Sequence, residues 1–302
     1  MTANPAESTA GGPGDAAQGS GPTILRMLLG QHLKRLREAA GVSREDAGWE
    51  IRASESKISR MEGGKVGYKE RDIADLLSLY GVDDAEERER LLALAREANA
   101  QGWWHRYGEA LPNWFQSYLG MEAAATQIRT YELQFVPGLL QTPDYARAVM
   151  LLGHEKPKYE ELERKVDLRV ARQQQCLHRT NPLTLWAVID EAVLHRPIGG
   201  PKVMRAQLEA LIDATALPNV RLQIMPFRAG GHAAGQFTLL RFPDKDIPDV
   251  VYVEQFTSGL YLDKRDDVDA YAAAMEGLCV AAEPPDKTVA WLETFLTEHH
   301  QD

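Results

Sequence analysis

The residues best placed to do chemistry in this chain lie between Arg44 and Lys65. Lys57 and Arg60 carry donors that suit guanine O6 and N7, and Ser56 and Ser59 carry hydroxyls that serve base edges or phosphates. Such a set points to hydrogen bonding with nucleic acid, not to bond breaking. A second set is carboxylate-rich. Asp190, Glu191 and Glu254 stand at expected strand ends, His195 follows Glu191 by four residues, and His232 sits in Gly230-Gly231-His232. Groups of these types can build an acid/base or metal site. Their spacing is not a metal-binding helix pattern, however, and acids that cap helices or pair with Arg196, Arg221 or Arg241 account for them. The His232 loop reads as a hairpin connection. Gly63-Gly64-Lys65 lacks the spacing and the preceding strand of a phosphate loop. No catalytic residue, cofactor or metal site is expected, and the chain does not read as an enzyme.

The elements that must position the first set are two short helices. Ser43 caps one from about Arg44 to Ile51, and Asp46 completes a capping box. Ala47 and Gly48 face inward, where small side chains allow close approach, and Ile51 adds an apolar contact. Ser54 caps the second helix, Ile58 and Met61 face inward, and Gly63-Gly64 end it. Glu55, Ser56, Lys57, Ser59 and Arg60 therefore point outward, in the layout of a helix-turn-helix. Lys57 and Ser56 are the expected base contacts. Arg44 is expected against the DNA backbone, its helix N-terminus aimed at a phosphate. Arg60 and Lys65 are placed for phosphate, with an ion pair of Arg60 to Glu62 or to an acid elsewhere in the domain as the structural alternative. With Ser54 and Glu55, these residues make up the candidate DNA-binding set.

Helices on either side complete a bundle, lined by Leu25, Leu28, Leu29, Leu33 and Leu36 before the motif and by Ile73, Leu76, Leu77 and Tyr80 after it. The spacing predicts a DNA-binding domain of four or five helices over 23–82, preceded by a disordered arm over 1–22 that is rich in Gly and Pro and has no Lys or Arg. That composition is not a secretory signal peptide. A helix over 83–100 reads as a connector, through which a signal would alter the separation of two DNA-binding heads. A sensing and dimerisation domain follows over 101–300.

The net charge of −10 argues against a nucleic-acid partner until it is divided. Residues 23–82 hold 11 Lys plus Arg against 9 Asp plus Glu, a balance of +2, which leaves −12 for the rest. An acidic body behind a mildly basic head discourages non-specific wrapping on DNA. A head with so little charge grips few phosphates, so a homodimer on an inverted repeat is expected, with half-sites about 34 Å apart. No run of 18 apolar residues is present, so no membrane span is expected. Cys176 and Cys279 lack metal-ligand spacing and suit a reducing cytoplasm, the expected location, in association with the nucleoid.

In the remainder, Gly102-Trp103-Trp104-His105 with Trp114, Phe115 and Tyr118 reads as core or interdomain packing in preference to a base-stacking platform. Residues 158–179 read as a long polar helix whose Arg164, Lys165, Arg169, Arg172 and Arg179 form a solvated face. Strands are expected over 183–189, 220–226, 237–242 and 250–254, with helices over about 201–214, 266–282 and 286–299. The expected fold is mainly α, with a small α+β sheet element in the C-terminal domain.

Gly41-Val42-Ser43 and Ser56-Lys57-Ile58-Ser59-Arg60-Met61-Glu62 resemble the lambda-repressor-like, xenobiotic-response-element (XRE) type of helix-turn-helix. This chain departs from that family at Arg52, where glycine is usual, and at Ala47, where a larger apolar residue is usual. Gly102-Trp103-Trp104, the run Phe135 to Thr142, Arg172-Gln173, Asp190 to Leu194, Gly199-Gly200 and Val251-Tyr252-Val253-Glu254 are similar to actinobacterial two-domain regulators with an antitoxin-like C-terminal domain. The resemblance implies a five-helix N-terminal domain, double-stranded DNA as partner, and control by a small molecule or a small neighbour-encoded protein. It also implies an alternative, an antitoxin-like protein that sequesters that neighbour and autoregulates its promoter. Gly235-Gln236-Phe237 departs from the family's usual Gly-Ser-Phe turn.

Overall fold

The computed structural model describes residues 22–152, 158–230, 235–243 and 247–299. Nearly all of the expected N-terminal arm, and the His232 loop, lie outside them. The chain divides into two compact units, Met1–Gly102 and Trp103–Asp302.

The described part of the first unit is five helices: α1 (Pro22–Ala39), α2 (Arg44–Glu50), α3 (Glu55–Glu62), α4 (Glu70–Leu79) and α5 (Ala85–Ala98). Leu25, Leu28, Leu29 and Leu33 of α1 are buried, as are Ile58, Met61, Ile73, Leu76, Leu77 and Tyr80. Leu36, at the end of the α1 stripe, is only half-buried. The helix expected as a connector is instead part of this bundle: α5 packs along α1 and α4. Its stripe of Leu91, Ala95 and Ala98 is buried. Arg26 Nε donates to the Ala98 carbonyl at 3.0 Å, and the Asn99 side chain accepts from Tyr68 N at 3.0 Å. An apolar stripe needs a partner surface, and α1 supplies it. α1 also crosses the end of α3 so closely that a Cβ at Gly30 would lie 2.5 Å from the Glu62 carbonyl oxygen.

The second unit contains α6 (Asn113–Ala124), β1 (Gln127–Glu132), α7 (Pro143–Leu152), α8 (Tyr159–Leu177), β2 (Thr184–Asp190), α9 (Glu191–His195) and α10 (Pro201–Thr215). It continues with β3 (Val220–Met225), β4 (Phe237–Arg241), β5 (Val250–Glu254), β6 (Gly259–Leu262), α11 (Arg265–Ala281) and α12 (Thr288–His299). The sheet is larger than expected, six strands in the order β3-β2-β1-β4-β5-β6. β1, β2 and β3 are parallel, and the pairs β1/β4, β4/β5 and β5/β6 are antiparallel. Parallel neighbours need crossover connections, and α8 and α10 lie in those connections. Tyr131, Val188, Met225, Phe237, Leu239 and Val251 pack with Met275 and Leu278 of α11 in one core. Overall the described chain is mainly helical, with one mixed sheet.

Strands β1 and β6 were not expected. β1, Gln-Ile-Arg-Thr-Tyr-Glu, reads as polar, yet it lies inside the sheet between β2 and β4. Some of its polar side chains find partners across strands, while Arg129 Nε and Tyr131 Oη are buried without a hydrogen-bond partner. Thr130 Oγ1 lies 3.1 Å from Thr238 Oγ1, and the Arg129 and Arg221 guanidinium groups each sit 5.1 Å from the Trp186 ring centroid between them.

Candidate functional site

In the N-terminal unit, local hydrogen bonds set the helix pair. Ser43 Oγ accepts from Asp46 N at 3.0 Å and donates to Asp46 Oδ2 at 2.7 Å, so Asp46 closes the cap through the serine hydroxyl. Ser54 Oγ accepts from Lys57 N at 3.2 Å. Between the helices Arg52 adopts φ 53°, the only positive φ of a non-glycine residue among the described residues. Such a backbone costs a residue with a Cβ roughly 1–2 kcal/mol. The turn keeps its shape through Ala53 N to Gly48 O at 2.8 Å and Arg52 N to Trp49 O at 3.1 Å. Gly48 is required there, since a Cβ on it would meet the Ala53 carbonyl at 2.8 Å.

The orientation of α3 is fixed by Glu62, 4% exposed at its last turn. Arg37 of α1 donates to Glu62 through Nε at 2.5 Å and Nη2 at 3.3 Å, and Arg44 of α2 donates through Nε at 2.8 Å. Arg37 Nη1 also donates to the Val42 carbonyl at 2.9 Å. One carboxylate thus ties three helices, and charge-assisted bonds of this kind are roughly twice as strong as neutral ones. The hydrogen bond to Glu62 is the main cause of an Arg37 pKa held above its ordinary value. Burial, with the Glu62 charge, pushes the Tyr80 phenol up to about 12.

The expected DNA-binding residues divide into three groups. Glu55, Ser56, Ser59, Arg60 and Lys65 are exposed. Ser54 is exposed, but its hydroxyl is engaged as the cap. Lys57 and Arg44 are already paired. Lys57 Nζ lies 2.7 Å from Asp72 Oδ2 of α4, and Arg44 Nε is held by Glu62. Arg60 does not take the alternative pairing with Glu62; its Nε donates to its own helix at Ser56 O, 3.3 Å away. Arg52 is exposed beside this face and was absent from the expected set. Its left-handed backbone was the available signal, through the missing turn glycine.

In the C-terminal unit the expected carboxylates serve the fold. Asp190 caps α9, accepting from Ala192 N at 2.9 Å. Glu191 accepts from Phe227 N at 2.7 Å and lies 3.4 Å from His195 Nε2. Arg241 pairs with Asp249 and Arg221 packs on Trp186. Among the described residues no three His, Cys, Asp or Glu side chains converge as a metal site. Trp104, Leu119 and Leu168 pack together, so the aromatic region does form core.

Glu254 has a different setting, a cavity of about 650 Å³ between α8, β4, β5 and the loop over 134–141. Here α8 departs from the expected solvated face. Arg172 is buried and makes a bidentate pair with Glu122 at 2.8 and 2.7 Å, over the rings of Phe115 and Tyr118. Arg179 donates to the Ala123 and Ala125 carbonyls at 2.6 and 3.1 Å. Arg169, one turn before Arg172, lines the cavity with no carboxylate within ion-pairing distance among the described residues. Burial first, and the charge of Arg172 second, lower its pKa to about 10. On the opposite side Glu132 is raised to about 7, chiefly by burial and further by Glu254, while Thr130 and Arg169 pull it down. Glu254 accepts from Tyr252 Oη at 3.1 Å.

Three glutamines fix the loop that forms one cavity wall. Gln141 Nε2 donates to Val136 O at 2.7 Å, Gln173 Nε2 to Gln141 O at 2.6 Å, and Gln207 Nε2 to Leu140 O at 2.7 Å. Gly138 in this loop leaves room for Arg169, because a Cβ there would strike the guanidinium. Gln141 Oε1 is buried and has no hydrogen-bond partner.

Residues 115–294, which include every part of this cavity, match the family described as a domain of unknown function, DUF5753. The chain belongs to that family. Residues 28–91, from within α1 to within α5, match a helix-turn-helix domain, which marks the N-terminal unit as that of a DNA-binding regulator. No curated protein and no solved structure matches the chain. No described helix is long and apolar enough to cross a membrane.

Proposed function

We infer that this protein is a sequence-specific transcriptional regulator of the XRE type, working in the cytoplasm as a homodimer on an inverted repeat. The observation that carries the reading is the seat of α3. Its inner face is fixed by Ile58, Met61 and the Arg37–Glu62–Arg44 cluster, while Ser56, Ser59 and Arg60 stand outward beside Arg52. Ser56 and Ser59 read base edges, and Arg60, Arg52 and Lys65 supply charge for a guanine edge or phosphate. Arg44 retains guanidinium N–H groups that no described residue uses, and these serve a phosphate at the start of α2. Lys57 contributes to base contact only by leaving Asp72. The C-terminal unit receives the controlling signal, and the cavity beside α8 favours a small molecule as its carrier.

Footprinting of the full chain on the DNA upstream of its own gene, at two salt concentrations, tests this. A protected inverted repeat with half-sites about one helical turn apart is expected, and Arg60→Ala removes the protection. No protection at either salt concentration overturns the reading.

A further inference from the structure

We propose that the cavity beside α8 binds a small organic zwitterion of the amino-acid class, its carboxylate on Arg169 and its ammonium between Glu254 and Glu132. The identity of the ligand class is independent of DNA; only its role as a signal rests on the regulatory reading above.

Four observations converge on this chemistry. The first is the unequal pairing of the two α8 arginines. Arg172 makes a bidentate pair with Glu122, whereas Arg169 lines the cavity with no carboxylate in ion-pairing distance among the described residues, the Glu254 and Glu122 charges reaching it only through space. A planar guanidinium with free donors fits a carboxylate in bidentate fashion. The second is the opposite wall. Glu132 and Glu254 both line the cavity, and the negative charge of one opposes ionisation of the other, a repulsion that a ligand cation relieves. The third is Tyr252, whose hydroxyl donates to Glu254 at 3.1 Å and holds that carboxylate in place at the cavity. The fourth is size and lining. About 650 Å³, walled in part by Phe115, Phe135 and Val149, accommodates an amino acid or dipeptide with an apolar side chain. An anion alone leaves the acid wall unsatisfied, and an amine alone leaves Arg169 so.

The site is built, not incidental. The three glutamines hold the 134–141 loop, and Gly138 gives Arg169 the space to reach inward.

The test is calorimetric titration of the full chain, without DNA, with L-phenylalanine and with phenylalanyl-leucine, each beside its C-terminal amide and its N-acetyl form. Saturable binding of at least one parent below 1 mM is expected, with both derivatives at least tenfold weaker. Arg169→Ala should bind the parent and its amide equally, because the carboxylate partner is gone. Glu254→Gln should narrow the gap between the parent and its N-acetyl form. Arg169→Lys, which keeps the charge but loses the bidentate fork, should fall between wild type and alanine. No binding of either parent up to 10 mM overturns the proposal, as does equal affinity for parent and derivatives in the wild type, or an unchanged preference in Arg169→Ala. Repeating the footprint with a bound ligand separates the two claims. An unaltered footprint overturns only the signalling role, and absent protection overturns only the DNA-binding reading.

Discussion

Both units bury a glutamate against arginine, and they close the account differently. In the N-terminal unit Glu62 receives both Arg37 and Arg44, and the cluster acts as a lock on three helices. In the C-terminal unit Glu122 pairs with a single described arginine, Arg172, and the neighbouring Arg169 is left at a cavity. The same two residue types thus give a rigid seat in one place and an unsatisfied site in the other. The cavity makes the difference, because a desolvated charge without an ion pair carries a cost that a ligand reaching it can relieve.

This contrast is open to direct attack. Glu122→Gln leaves Arg172 buried and unpaired, and the expected loss is about 3–5 kcal/mol. Amide hydrogen exchange should show it in α6 and α8, with α1 to α5 unchanged. Glu62→Gln should cost less, about 2–3 kcal/mol, because Arg44 is partly exposed and can turn to water. Its loss of protection should appear in α1 to α4 alone.

Glu132→Gln should act in the opposite direction, by an amount that grows as pH rises from about 4.5 to 7 and then levels off. The folded-state pKa of Glu132, about 7, is raised from 4.5, so its neutral form is favoured by folding. Stability from this group is complete below about pH 4.5 and is lost as pH rises through 7. The glutamine variant should therefore be more stable than wild type at pH 8, by about 1–3 kcal/mol, and indistinguishable from it at pH 4. Urea unfolding at the two pH values measures the difference.

Arg169→Met sharpens the comparison further. Removing a half-buried cation that makes no ion pair among the described residues should raise stability by about 1 kcal/mol, whereas the same change at Arg172 should lower it. The smallest effect expected is at the turn. Arg52→Gly relieves the left-handed backbone and should add about 0.5–1 kcal/mol after the entropy cost of glycine, read as a small rise in the Tm of the N-terminal unit.

The N-terminal unit was legible because its determinants are local. Caps at Ser43 and Ser54, small residues at Ala47 and Gly48 and the inward pair Ile58 and Met61 all act within a few residues of where they stand. The partners of Lys57 and Glu62 were not legible, since Asp72 and Arg37 are 15 and 25 residues away and only packing brings them close. The same limit explains α5, whose stripe was visible but not the surface it would meet. In the C-terminal unit, β1 was hidden by a polar sequence whose Thr130 and Arg129 meet Thr238 and Trp186 on the neighbouring strands. Arg169 and Arg172 looked like a solvated face because Glu160, Glu161, Glu163 and Asp167 surround them in sequence. The acid that matters to Arg172 is Glu122, 50 residues earlier. A period-2 alternation around Ile128 and Thr130, and the three-residue step from Arg169 to Arg172 beside the buried Leu162 and Val166, were the signals available.

The seat of α3 has a consequence for how such a protein changes over time. Ser56, Ser59 and Arg60 make no side-chain bond to any other helix among the described residues, and Lys57 alone on that face is tethered, to Asp72. The outward positions can therefore be exchanged one at a time while the helix stays where it is. DNA target preference can drift by single substitutions without passing through an unfolded intermediate sequence.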